Sequence, residues 1–188
     1  MHDHHHYFQY DPEERRKRQD PVLILRQIGL KPDMVFMDIG SNDGFFSIPA
    51  ADIVGPKGKV YAIDISETAI EKLNEKFTDI GFTNYVTRVA KAEETIFGEN
   101  IADVIFLGTV LHDFEDPAKV LNNAKTMLKK SGKLVNLDWR KKAMDIGPPL
   151  DIRFSKAQAS KLIEDAGLKI ILCTNYDNNY YVISAAVS

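Results

Sequence analysis

At 188 residues, with 44% hydrophobic and 27% charged side chains, the chain has the length and composition of one globular domain, which excludes a disordered or fibrous class. A net charge of −3, with Lys and Arg dispersed among Asp and Glu, argues against nucleic acid as a partner. The single cysteine, Cys173, excludes a disulfide framework and a multi-thiolate metal site, and no apolar run approaches the ~20 residues that span a bilayer. With no apolar stretch like a secretion signal at the N-terminus, the expected setting is cytoplasmic, with no membrane partner; oligomeric state is not set by composition.

Residues 1–10 (MHDHHHYFQY) read as a polar leader with aromatic residues at its end. His2, His4, His5 and His6 have no carboxylate or cysteine completing a fixed ligand set, so no metal is expected there. Tyr7, Phe8 and Tyr10 either fray or fold over a site as a hydrophobic cover. Asp11-Pro12 and Asp20-Pro21 each set an N-cap acceptor before a proline, predicting helices over 12–19 and 21–28. The first (PEERRKRQ) is almost wholly charged and reads as a solvated face. The second is apolar and ends at Gly29. Residues 1–20 are therefore expected to be a leader and charged helix, with a single ligand-binding domain over 21–188.

Strand and helix then alternate. Strands are expected at 34–39, 59–65, 85–89, 103–107 and 133–138. Helices are expected at 45–54, with Pro49 kinking it or confined to its first turn, at 66–77, from Asp116-Pro117 to near Ser131-Gly132, and at 155–166. Two β runs, 169–174 and 180–187, are joined by only Asn175-Tyr176-Asp177-Asn178-Asn179, too short for a crossover helix, so they must be antiparallel neighbours. The expected fold is α/β: a three-layer Rossmann-like sandwich whose mostly parallel sheet carries an antiparallel strand from the C-terminal hairpin.

Open parallel sheets bind ligands beyond the carboxyl ends of their strands. After the first strand comes Asp38-Ile39-Gly40-Ser41-Asn42-Asp43-Gly44, where Gly40 and Gly44 permit tight turning and close approach to a ligand. After the second, Asp64 lies twenty positions beyond Gly44, where a carboxylate can accept both hydroxyl hydrogens of a ribose. Taken separately, the glycines suit a plain turn and Asp64 a helix cap; their joint spacing points to a nucleoside cofactor. The dinucleotide pattern G-x-G-x-x-G is not met, because its places hold Gly40, Asn42 and Phe45.

The stretch VFMDIGSNDGFFSIPAADIVGPKGKVYAIDIS resembles the first two motifs of the class I S-adenosylmethionine-dependent methyltransferases, with Asn42 at the usual middle glycine. The substitution suits the motif if Asn42 is left-handed. The resemblance runs from about Gln19 to the C-terminus and implies S-adenosylmethionine as cofactor. It implies that Asp38, Gly40, Ser41, Asn42 and Gly44 surround the methionine portion, that Asp64 holds the ribose and that Ile65 lies against adenine. Lys91-Ala92-Glu93 stands where the family has Asp-Ala-Glu, placing Ala92 and Glu93 near the adenine edge while Lys91 cannot accept from it.

Gly108-Thr109-Val110-Leu111-His112-Asp113, ending the fourth strand, borders cofactor and acceptor in this family. His112, with Asp113 beside it, has the chemistry to remove an acceptor proton near neutral pH; the alternative is a packed loop histidine. Trp139, Arg140 and Arg153 either select a flat or anionic acceptor or stiffen a surface loop, and Cys173 is expected in the core. The run Leu111-His112-Asp113-Phe114-Glu115-Asp116-Pro117 is similar to that of small quinone- and arsenite-type methyltransferases, and a single cysteine disfavours arsenite. The expected function is methyl transfer to a small-molecule acceptor. A nicotinamide-dependent oxidoreductase and a non-catalytic S-adenosylmethionine-binding protein are the alternatives.

Overall fold

The computed structural model describes residues 12–187. The leader with its histidines, Tyr7, Phe8, Tyr10 and the Asp11 cap lies outside them. Helices α1 (Pro12–Arg18) and α2 (Pro21–Gln27) lead into β1 (Val35–Ile39), α3 (Ser47–Val54), β2 (Lys59–Asp64), α4 (Glu67–Ile80) and β3 (Tyr85–Val89). A 3-10 turn, Ala92–Glu94, precedes β4 (Ala102–Gly108); a second, Leu111–Asp113, precedes α5 (Pro117–Met127). The chain closes with β5 (Leu128–Trp139), α6 (Lys156–Asp165), β6 (Leu168–Asn175) and β7 (Tyr180–Val187).

The seven strands lie in the order β3-β2-β1-β4-β5-β7-β6. Pairing is parallel from β3 to β5, and β7 runs antiparallel to both β5 and β6, so the hairpin inserts its returning strand into the sheet. Alternation along the strands makes two cores. Phe36, Val60, Val104, Phe106, Val135 and Val182 face α2, α3 and α4. Met37, Ile39, Ile63, Ile105, Leu107 and Ile183 face α5 and α6. Such two-sided burial is why β1 and β4 read as predominantly apolar runs, each with a single Asp.

The helix starts follow the caps. Asp20, Ser66 and Asp116 accept from Leu23, Ala69 and Lys119 amides, and Ser155 with Gln158 forms a reciprocal box. Three boundaries differ from expectation. α3 starts at Ser47, because Phe45 and Phe46 belong to the turn and bury their rings, Phe46 lying 4.6 Å from Phe106; Pro49 thus falls in the first turn, where its missing N–H costs nothing. α4 runs on to Ile80, since nothing opposes it before the left-handed Gly81. α5 ends at Met127, because Leu128 already pairs with Ala102, and the register then shifts so that Val104 faces Lys133. The intervening charged residues bulge outward, with Lys129 donating to Asp103 at 2.7 Å.

Cys173 is exposed, contrary to expectation. It sits on β6, the sheet's edge strand, where most side chains meet solvent. Among the described residues no helix is long and apolar enough to cross a membrane.

Candidate functional site

β1 connects to β2 on one side and neighbours β4 on the other, so the strand order reverses at the carboxyl ends of β1 and β4, the place where open α/β sheets form a ligand-binding crevice. On the β1 side the loop is shaped by backbone. Gly40 and Ser41 both donate to Ile63 O, at 2.9 and 3.0 Å, and Gly40, Asn42 and Gly44 all have positive φ (78°, 47° and 92°). Asn42 takes the left-handed conformation that the motif requires, and its side chain accepts from the Asp43 amide at 2.7 Å. A Cβ on Gly40 would lie 2.5 Å from Val110 Cγ2, so this glycine lets the β4 loop close on the β1 loop. Gly44 is held against Leu73 of α4 instead, a packing contact.

Asp64 ties the two loops together. Its Oδ2 accepts from the Asn42 amide at 2.8 Å and its Oδ1 from the Ser66 amide at 2.9 Å, which fixes the carboxylate and leaves each oxygen a further lone pair. The neighbouring Ile65 side chain is 50% exposed, an apolar surface at the rim of the crevice. Ala92 and Glu93 are set by Asn123, which donates to both carbonyls (3.1 and 2.9 Å). Lys91 pairs with Glu115 at 2.8 Å.

Asp38 is buried and accepts from Ser47 Oγ at 2.6 Å. Burial pushes its carboxyl up to about 7, against the Ser47 hydroxyl and the positive charge of Arg15. That arginine comes from α1, whose face is not wholly solvated as expected: the guanidinium lies 4.0 Å over the Phe45 ring and Nε donates to Gln19 Oε1 at 3.0 Å. Gln19 is 1% exposed, and its Nε2 has no hydrogen-bond partner among the described residues.

On the β4 side, Gly108 leads into Thr109, a β-branched residue at φ 61° whose amide is tied to Leu137 O at 2.7 Å. This strained link aims Val110 at Gly40. The following turn delivers His112, whose ring is 2% exposed; Nδ1 lies 2.9 Å from Asp138 Oδ1 and Nε2 lies 3.4 Å from Asp113 Oδ1. Asp138, at the end of β5, is equally buried and also accepts from the Trp139 amide at 2.8 Å. Burial disfavours the imidazolium, but the Asp138 charge and hydrogen bond, with Asp113 behind them, prevail over burial and Arg153, and the His112 pKa is raised. Sequence reasoning missed Asp138. The signal was there: a carboxylate ending a central parallel strand, one strand beyond the four whose loops drew attention.

Trp139, Arg140 and Arg153 frame their own loop. The buried Arg153 donates to the carbonyls of Pro148, Ile146, Lys142 and Arg140 at 2.7 to 3.3 Å, Gly147 lies against the Trp139 ring, and Arg140 donates to the carbonyls of Asp177 and Asn178. A loop without regular structure must satisfy its carbonyls with side chains, and a guanidinium has the donors to do so. Among the described residues no group of three or more His, Cys, Asp or Glu side chains is placed to hold a metal ion.

The pieces fit a nucleoside bearing an amino-acid tail. A fixed carboxylate with spare lone pairs suits a ribose; a buried carboxyl and an orphaned amide donor suit the two charged ends of the tail. Comparison with known proteins agrees. The model of the family described as "Methyltransferase domain" matches residues 30–169. A ubiquinone/menaquinone biosynthesis C-methyltransferase from Shewanella woodyi is 30% identical over 127 residues, 66% of this chain and 50% of its own length. The chain thus spans about half the length of the curated relatives it matches. A SAM-dependent methyltransferase from Aquifex aeolicus has a structure with TM-score 0.85 and 28% identity, covering 96% of this chain and all of that one. Phosphoethanolamine N-methyltransferase 2 of Haemonchus contortus, solved with S-adenosyl-L-methionine, shares the fold alone: TM-score 0.76 and 15% identity, over 89% of this chain and 52% of that one. With the matched family segment covering most of the chain, the chain belongs to the methyltransferase domain family, of the class I S-adenosylmethionine-dependent type.

Proposed function

We propose that the chain transfers the methyl group of S-adenosylmethionine to a small-molecule acceptor. The observation that carries this reading is the Asp64 carboxylate, locked by the Asn42 and Ser66 amides at the point where the strand order reverses. There it accepts from the ribose hydroxyls; Ile65 covers one face of the adenine, Ala92 and Glu93 border its edge, and Asp38, Gly40, Ser41 and Asn42 surround the methionine portion. Gly44 contributes by holding the loop's turn on α4. The cofactor supplies an already activated methyl group, so the protein's task is to align the acceptor, exclude water and take up a proton where one is released.

His112 is the group placed for that proton. With Nδ1–H donated to Asp138, the basic lone pair stands on Nε2, beside Asp113. The raised pKa brings the ring closer to neutrality, where a base works best. Asp113 is 57% exposed and links Nε2 to solvent, an exit for the proton. The acceptor is accordingly one whose reacting atom carries a hydrogen, and Gly108 and Val110 form the wall between it and the cofactor.

Calorimetric titration with S-adenosylhomocysteine tests the assignment. Asp64→Ala loses two charge-assisted hydrogen bonds to ribose, and its affinity falls at least tenfold in a protein that still melts cooperatively. Unchanged affinity removes the assignment. Melting-temperature stabilisation by NADH in place of S-adenosylhomocysteine would instead mark an oxidoreductase.

A further inference from the structure

α6 packs against one face of the β6–β7 hairpin, and the other face borders a groove beside α2. The groove holds about 370 Å³, the size of a small-molecule site. Val135 and Leu137 of β5 form its floor, Ile24 and Ile28 of α2 one wall, and Ile171 and Leu172 of β6 the other. A bulge builds that outer wall. Ile170 pairs with Ala185 and Leu172 with Ser184, so Ile171 has no partner on β7. A regular strand sends successive side chains to opposite faces; here two successive apolar ones border the groove, 58% and 49% exposed. Leaving both in water forgoes burial energy that an apolar occupant would recover.

The two ends of the groove differ in charge. The half-buried Lys133 stands at one end, in a row with Ala186 and Lys169 across three strands, so both lysines project from the groove's face. Burial and the charge of Lys31 lower the Lys133 pKa. None of these three lysines makes an ion pair among the described residues. Tyr176 stands at the other end, its hydroxyl kept protonated by burial and by the Asp177 and Asp20 charges. An anion is therefore drawn to the Lys133 end and repelled from the Tyr176 end. Between them, Lys133 and Leu137 are separated by about 13 Å of strand. We propose that the groove binds one linear aliphatic carboxylate, its head at Lys133 and its chain lying along β5 between α2 and the β6 bulge. A second copy meeting this face about a two-fold axis would bring its own lysines to the same patch, where like charges repel. The site is separate from the reaction centre: Leu137 faces the groove, whereas Asp138 projects from the opposite face to His112. The proposal does not depend on the cofactor assignment.

Titration calorimetry on the full chain tests this with decanoate, butyrate, 1-decanol and decyltrimethylammonium, all below the concentrations at which they form micelles. Decanoate is expected to saturate at one per chain and to bind roughly tenfold more tightly than each of the other three, since it alone has both the chain and the anionic head. Lys133→Met should weaken decanoate roughly tenfold and leave 1-decanol within about twofold. Leu172→Glu sets a carboxylate beside the bound chain at a position 49% exposed, where the fold tolerates it, and should weaken decanoate by a similar factor in a protein that still melts cooperatively. If Lys133→Met fails to fold, Leu172→Glu carries the test. Equal affinity for decanoate and 1-decanol, binding that does not saturate at one per chain, or no loss in a folded variant overturns the proposal. A dimer seen by sedimentation, dissociated by Leu172→Glu and accompanied by no decanoate binding, also overturns it and gives the groove to a second copy.

Discussion

On the β1–β2 side of the crevice, shape comes from backbone: Gly40, Asn42 and Gly44 at positive φ, and two amides that close on Asp64. On the β4–β5 side it comes from side chains that meet across the fold: His112 with Asp138, Val110 against Gly40, and Arg153 gathering four carbonyls of its loop. The first kind of wall is stiff and tolerates few substitutions. The second is held by ion pairs and contacts that respond to pH and to single side-chain changes, which suits the side facing a variable acceptor.

The sharpest way to break this contrast is at Gly40, where the walls touch. Gly40→Ala must hold an L-residue at φ 78° and place a methyl 2.5 Å from Val110 Cγ2, with the Val110 Cβ only 3.0 Å away and unable to swing clear. Left-handed strain and overpacking together cost roughly 2–5 kcal/mol. Gly81 is the internal control: it too has positive φ (86°), in the left-handed region, but nothing among the described residues within 4 Å of a Cβ, so Gly81→Ala loses only the backbone part, about 1 kcal/mol. Urea unfolding of both variants, and of Gly40→Ala with Val110→Ala, separates clash from strain. If the two glycine variants lose equal stability, the close approach of the loops is not what Gly40 serves.

Much of the backbone-built wall was legible because its determinants are local. Glycine spacing, a proline after an Asp cap and a carboxylate after a β run act over a few residues, and Asn42 adopted the conformation its motif demands. The side-chain wall was not, because its partners lie far apart: Asp138 is twenty-six positions from His112, and no local pattern announces the pair. Arg153 and Trp139 left two readings open for the same reason, since charge and aromaticity suit ligand chemistry as well as a stiffened loop until the loop carbonyls that Arg153 satisfies are in view. α1 misled by composition: charged residues imply solvent, but an arginine can lay its plane on an aromatic ring and bring its neighbour Gln19 into the interior.

Asp38 belongs to the stiff wall yet titrates, and this sharpens the comparison. Its folded pKa, about 7, lies above the ordinary aspartate value of 3.8, so the folded chain favours the protonated form. The resulting stability is fully present below pH 3.8, is lost as pH rises to about 7, and beyond that the buried carboxylate costs the fold roughly 4 kcal/mol. Asp38→Asn escapes this, so at pH 8 it should be more stable than the wild type by roughly 2–4 kcal/mol, with the gain vanishing near pH 4. In exchange it should bind S-adenosylhomocysteine more weakly, because the ammonium loses its counter-charge. Urea melts at both pH values check the sign; a variant less stable at pH 8 shows that Asp38 is not paying for its burial.

The smallest effect belongs to the responsive wall. The His112 pKa is raised, so the Asp138 pairing contributes stability that is fully present below the unfolded value near ~6.5 and disappears as pH climbs through the folded one. Asp138→Asn removes the partner charge, so the His112 ring should titrate lower and the pH slope of stability above ~6.5 should flatten. The ring can be followed by NMR, with His112→Gln assigning its signal, since the other histidines all lie within the first six residues. A base oriented by a buried carboxylate requires Nδ1 to carry the proton in the neutral ring. If the spectra show Nε2–H instead, or if the midpoint does not move in Asp138→Asn, then the pair merely ties the β4 loop to β5, and the proton of the acceptor must leave by another route.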